Sequence, residues 1–141
     1  VLNKKYADPR ILRLPAERGV VTIAAHAAGR SGLLDSDYTA ELIKMFDEFP
    51  NLYADNSALC ALNRWRTIKK LFPEKVMARV LHGSDFPVSS GGFGPWMGRL
   101  LKWRDHREAS SGNNALQRDA MLKSAMGFPE ETFTRLDGLL S

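Results

Sequence analysis

Two apolar runs in this chain each stop on a side chain that can bind a metal or move a proton, and that pairing limits the folds open to it. The first is Val20-Val21-Thr22-Ile23-Ala24-Ala25-His26, with the loop Ala27-Ala28-Gly29-Arg30-Ser31-Gly32 behind it. The second is Arg79-Val80-Leu81-His82-Gly83-Ser84-Asp85-Phe86-Pro87. Val, Ile and Thr favour strands, and Gly83 lets another group approach the backbone closely. A carboxylate at the tip of a buried strand must be hydrogen-bonded, paired or metal-bound, because a lone buried charge is too costly. Strands ending in His26 and Asp85 therefore point to a metal site at one rim of a parallel sheet.

The rest of the chain alternates strands with helices. In the first strand, residues 20–26, Val20, Thr22, Ala24 and His26 share one face, and Val21, Ile23 and Ala25 the other. Both faces are apolar, the pattern of a strand covered on both sides. Tyr38, Leu42, Met45, Phe46 and Phe49 recur at helical spacing over 37–49, with Ser36 as N-cap and Pro50 as stop. A second strand follows at 52–57, a helix at 62–72 and a third strand at 77–84. Beyond a flexible loop at 88–95, Trp96, Leu100 and Trp103 sit at helical spacing, residues 109–114 form a polar linker, and helices at 115–126 and 129–140 close the chain. Each strand–helix–strand unit is about 30 residues, the length of a crossover between parallel strands. The expected fold class is α/β, with three parallel strands and outer helices in one domain over residues 1–141. Ligands in such sheets bind at the carboxyl ends of the strands, where His26, Ser57 and Asp85 lie.

Composition excludes several classes. The chain has 141 residues, 44% of them hydrophobic and 26% charged, enough for one domain with a real core. No apolar run approaches the roughly 18–20 residues of a membrane span, and there is no signal-peptide pattern. The single Cys60 excludes an internal disulfide and fits a reducing, cytoplasmic setting. The net charge of +4 is spread among interleaved acids and bases, a solvated surface rather than a nucleic-acid footprint. The first residue is Val1 rather than Met, which fits processing, trimming or a longer parent protein.

Ile23-Ala24-Ala25-His26-Ala27-Ala28-Gly29, Asn51-Leu52-Tyr53-Ala54-Asp55-Asn56-Ser57-Ala58 and Leu81-His82-Gly83-Ser84-Asp85-Phe86-Pro87 resemble, in this order and spacing, the last barrel strands of the amidohydrolase-2 family. Leu116-Gln117-Arg118-Asp119 through Gly127-Phe128-Pro129 resembles its closing helices, so the resemblance runs over roughly residues 10–140. The family consists of metal-dependent hydrolases and decarboxylases on a (β/α)8 TIM barrel. It carries a His-x-His pair on the first strand, a His on strand five or six and an Asp on strand eight. The resemblance implies that His26 is the later His and Asp85 the strand-eight Asp. The first-strand pair is absent, since the only other histidines are His82 and His106. A complete barrel needs about 250 residues. The chain is therefore expected to be the C-terminal part of a TIM barrel, incomplete as an enzyme on its own.

On this reading His26 and Asp85 hold a divalent metal, with zinc expected, and Asp85 also takes the proton from a bound water. Arg30 is placed to hold a substrate carboxylate, and Asp55 and Ser57 share a face and line the site. The expected substrate is a small molecule with a C–N or C–O carbonyl bond, or one that is decarboxylated. His82 is three residues before Asp85, so alternation turns it toward the helices. His82, Ser84 and Asp85 do not make a hydrolase triad, because neighbours on one strand cannot converge and no Gly-x-Ser-x-Gly elbow is present. The glycines of 29–32 and 91–92 are a weak phosphate-loop signal. Cys60 reads as a small buried hydrophobe, and Trp96 and Trp103 as packing.

The competing reading is a non-catalytic α/β interaction domain, favoured by the missing histidine pair. A partial barrel has open sheet edges and an exposed inner face, so a homo-oligomer is expected.

Overall fold

The computed structural model describes residues 4–30, 32, 35–88 and 90–140. The loops read at 29–32 and 88–95 thus include residues 31 and 89, which lie outside the described residues. The chain enters through two 3-10 turns, Lys4–Ala7 and Pro9–Leu12, and helix α1, Arg13–Glu17. Strand β1, Thr22–Ala24, leads to α2, Thr39–Glu48, and then to β2, Leu52–Asp55. A 3-10 helix at Trp65–Leu71 and a short α3, Glu74–Met77, precede β3, Val80–Leu81. Four helices follow: α4, Phe93–Met97; α5, Trp103–Ser110; α6, Ala115–Ala125; and α7, Glu130–Leu140.

The three strands form one parallel sheet in the order β1-β2-β3. The expected α/β class with a parallel sheet holds at this level. Thr22 pairs with Leu52, Ala24 with Ala54, Ala54 with Val80 and Asp55 with Leu81. Thr22, Ala24, Leu52, Ala54 and Val80 are buried. Helix α2 sends Leu42, Met45 and Phe46 into the same core, an i, i+3, i+4 stripe. Leu122 on α6 and Phe128 before α7 join it.

Several local expectations are corrected. The first strand is covered on one face only: Ile23 and Val21 are exposed, so its all-apolar sequence does not mean two-sided burial. Strand β1 also stops at Ala24, because His26, Ala27 and Ala28 turn into left-handed backbone. The third strand is two residues long instead of eight, since Glu74–Met77 coils into a helix whose first bonds run to the Pro73 carbonyl. Residues 62–72 form turns and a 3-10 helix rather than an α-helix, and its N-cap, Arg64, offers no side-chain cap. The N-cap position of α2 is Tyr38 and not Ser36, and Tyr38 makes no side-chain cap; Asp37, just before it, accepts from the Thr39 N–H at 3.1 Å. Trp96, Leu100 and Trp103 do not share a helix, because the chain breaks at Gly98 and Arg99 (φ 59°) between α4 and α5.

The two sheet edges differ. Beyond β3, α7 covers the edge: the Thr132 carbonyl accepts from His82 N–H at 2.8 Å, and Arg135 donates to the Val80 carbonyl. Such cover blunts an edge that would otherwise pair with another chain.

Candidate functional site

The site is built at the carboxyl ends of the strands. Period-two alternation alone would aim His26 into the helix layer with Thr22 and Ala24. Three consecutive left-handed residues, His26 (φ 54°), Ala27 (φ 51°) and Ala28 (φ 51°), redirect it over the tip of β2. Left-handed backbone costs a non-glycine residue roughly 1–2 kcal/mol, so surrounding contacts must hold it. The His26 N–H donates to Asp55 Oδ1 at 2.8 Å. The imidazole Nδ1 lies 2.8 Å from Ser57 Oγ and 3.2 Å from the Ser57 carbonyl.

Asp55 is a tether. Its Oδ1 accepts from the backbone N–H of His26, from the Ser57 N–H at 3.0 Å and from the Ser57 hydroxyl. This one carboxylate oxygen ties the end of β2 to the turn after β1. Ser57 in turn sets the orientation of the His26 ring.

With Nδ1 engaged, Nε2 of His26 faces Asp85, and its distance to Asp85 Oδ2 is 3.8 Å. Asp85 too has left-handed backbone (φ 60°), and its carbonyl closes a turn by accepting from the Val88 N–H at 2.8 Å. Both side chains are about two-thirds buried. Two residues at different strand ends, each in an unfavoured conformation and facing the other, fit the general rule that backbone strain collects at functional sites.

The path between the sheet and Asp85 is crowded. A Cβ on Gly83 would lie 3.0 Å from Ser57 Cβ and 3.7 Å from Asp55 Cγ, so a side chain here would press on Ser57 by a few tenths of an ångström as the chain leaves β3 beside the tip of β2. The Gly83 N–H donates to Asn56 Oδ1 at 3.2 Å, and the Gly83 carbonyl accepts from Lys123 Nζ at 2.7 Å. Lys123 and Asn56 are fully buried. Lys123 also pairs with Asp119 at 2.5 Å, and Asp119 accepts from the Ser90 hydroxyl. Beside this pair, burial pushes the Cys60 thiol up to about 12, which keeps it an unreactive core thiol.

A cavity of about 390 Å³ opens beside His26. Ile23, Ala24, Leu12, Tyr38 and Arg64 form much of its wall. Arg64 reaches this space, whereas Arg30, the arginine singled out from the sequence, is not part of the wall. His82 faces the helices as alternation indicates, with its ring 4.8 Å from that of Phe133. His106 lies on α5, against Trp103.

His26 Nε2 and Asp85 Oδ2 are atoms of the kind that ligate a divalent metal. Ligands about 2.0–2.2 Å from a tetrahedral ion stand about 3.3–3.6 Å apart, a few tenths of an ångström closer than the 3.8 Å between His26 Nε2 and Asp85 Oδ2. A ligating imidazole commonly has its other nitrogen held by a neighbouring oxygen, as Ser57 does here. Among the described residues no group of three or more His, Cys, Asp and Glu side chains is placed to hold one ion. Nor is any helix among them long and apolar enough to cross a membrane. No protein-family model, curated protein or solved structure matches this chain.

Proposed function

We propose that this chain forms the C-terminal βα units of a barrel of the amidohydrolase-2 type, and that His26 and Asp85 are two ligands of a divalent metal, zinc first among the candidates. The observation that carries the reading is the 3.8 Å approach of His26 Nε2 to Asp85 Oδ2, with Nδ1 already committed to Ser57. A bound divalent ion would supply a water acidified to a pKa of about 7.

The residues of this chain have separate parts in that reading. Asp85 accepts the proton from the attacking water and later returns it to the leaving group. His26 serves as a neutral imidazole ligand, oriented by Ser57. The cavity beside His26 receives a small-molecule substrate with an amide, ester or lactone carbonyl, and the same arrangement would serve a decarboxylase. The remaining ligands belong to a strand ending in His-x-His, which this chain does not contain.

Titration calorimetry with Zn²⁺ tests the reading. The chain is expected to bind Zn²⁺ at neutral pH, and His26→Ala and Asp85→Ala are each expected to weaken binding at least tenfold, about 1.4 kcal/mol. Absence of binding, or variants that bind as well as the wild type, would overturn it.

One observation favours a second reading, an interaction domain that associates with its own copies. Val20, Val21 and Ile23, in and just before the edge strand β1, are 54%, 45% and 38% exposed. Association through this surface is also compatible with a barrel fragment, so the Zn²⁺ titration separates the two readings.

A further inference from the structure

We infer that Asn56 and Lys123 are positioning residues that hold the Gly83 peptide from both sides and so present Asp85 to His26. This rests on the reading of His26 and Asp85 as partners in one site.

The argument begins with the shortness of β3. Its last ladder bond runs from the Asn56 N–H to the Leu81 carbonyl at 3.0 Å, so no sheet pairing holds the chain at Gly83. Asp85 lies four residues past that last ladder partner, in a left-handed conformation that needs support. Two buried side chains take over from the ladder. Asn56, at the tip of β2, accepts from Gly83 N–H at 3.2 Å, and Lys123, from α6, donates to Gly83 carbonyl at 2.7 Å. Both polar groups of a single peptide-forming residue are thereby occupied by side chains from two different elements.

The identity of these groups matters. A lysine with no exposed surface is rare and costly unless paired. Lys123 meets that cost with Asp119 and spends another of its three donors on Gly83. An apolar residue would fill the same space and support α6 equally well, but it could not hold a carbonyl. Asn56 is adjacent in sequence to both Asp55 and Ser57, which hold His26. The tip of β2 thus registers His26 with two of its side chains and the approach to Asp85 with the third. A displacement at Gly83 alters the distance between the two candidate ligands without touching either.

The test uses the whole chain and two independent variants. Asn56→Ala removes the acceptor. The double change Lys123→Met with Asp119→Leu removes the donor while leaving no unpaired buried charge, the type of replacement that proteins often tolerate. A core substitution on a different element from Asn56, Gly83 and Lys123, Leu71→Ala in the 3-10 helix, serves as the stability control. In each positioning variant the amide resonances of Ser84 and Asp85 are expected to shift, and the Gly83 amide to exchange with solvent at least tenfold faster. Zn²⁺ affinity is expected to fall at least tenfold, whereas Leu71→Ala is expected to lower the urea midpoint and keep the affinity. Unchanged amides at 83–85 would overturn the inference. So would altered amides with unchanged Zn²⁺ affinity, since the clamp would then serve stability alone. If the wild-type chain bound no Zn²⁺, the metal reading would fall, and the amide shifts and exchange would decide the clamp by themselves.

Discussion

Ser57 Oγ sits 2.8 Å from His26 Nδ1, and that contact determines which imidazole nitrogen is left for chemistry. The hydroxyl also donates to Asp55, so it meets Nδ1 through its remaining capacity and the ring presents Nε2 to Asp85. Ser57→Ala removes this orientation and leaves both candidate ligands in place. Loss of such a supporting contact typically costs 10–100-fold in metal affinity. Zn²⁺ binding by calorimetry is expected to weaken by about tenfold, less than for His26→Ala.

Ala28 is a second point of leverage. Left-handed backbone costs an alanine roughly 1–2 kcal/mol, while glycine loses roughly 0.5–1 kcal/mol of additional chain entropy on folding. Ala28→Gly is therefore expected to stabilise the fold by about 0.5–1 kcal/mol in urea unfolding. Ala27 is fully buried, so Ala27→Gly also loses a packed methyl, about 0.8 kcal/mol, and is expected to gain little or nothing. A marked loss of stability in Ala28→Gly would show that the turn is not strained there.

His82 gives the fold a pH dependence of known sign. Burial, and then the Lys123 ammonium, hold its imidazole below the ordinary value, against the pull of Asp119 and Asp55. An unfolded histidine titrates near pH 6.5. Below that value the unfolded chain takes up a proton that the folded chain resists, so stability falls as pH drops. Above it both states are neutral and this contribution is constant. His82→Phe keeps a ring against Phe133 and removes the titration. Between about pH 7.5 and about pH 5.5 the wild-type urea midpoint is expected to fall more than that of the variant.

The uncovered surface at β1 predicts association. Light scattering at about 100 μM is expected to show species heavier than the monomer, and Ile23→Lys or Val21→Lys to shift them toward it. A monomer at that concentration would show that this apolar edge is tolerated without a partner.

Much of the architecture was legible because it depends on local pattern. The 3.6-residue stripe of α2 and the Pro50 that follows it survive any tertiary context, and so does the strand–helix alternation. His26, Ser57 and Asp85 do come together at the carboxyl end of the parallel sheet, through the turns that follow the three strands. What could not be read has physical causes. No alanine sequence announces a left-handed turn, since Ala27 and Ala28 adopt it against their preference and under outside restraint. The sequence suggests Met77 as the first residue of the third strand, yet Pro73 and Glu74 start a helix that includes it. Asp119 and Lys123 have the i, i+4 spacing of an ordinary surface ion pair, and nothing in that spacing reveals that both are buried. Asn56 stands in plain view between Asp55 and Ser57, and its function depends on a glycine 27 residues away. Arg64, and not Arg30, lines the cavity, and it does so from a run of turns where the sequence suggests a helix at 62–72.

The bond between Lys123 and Gly83 joins residues 40 positions apart, which gives the site a schedule during synthesis. The β1–β2 pair and the turn that carries His26 can assemble as soon as Ser57 has left the ribosome. Gly83 has no such freedom, because its carbonyl waits for an ammonium group made later. At about 5–20 residues per second that delay is roughly 2–8 s. For that interval the nascent chain holds one half of the His26–Asp85 pair in place and leaves the other unset, so the pair is completed only with the arrival of a helix that holds the chain two residues before Asp85.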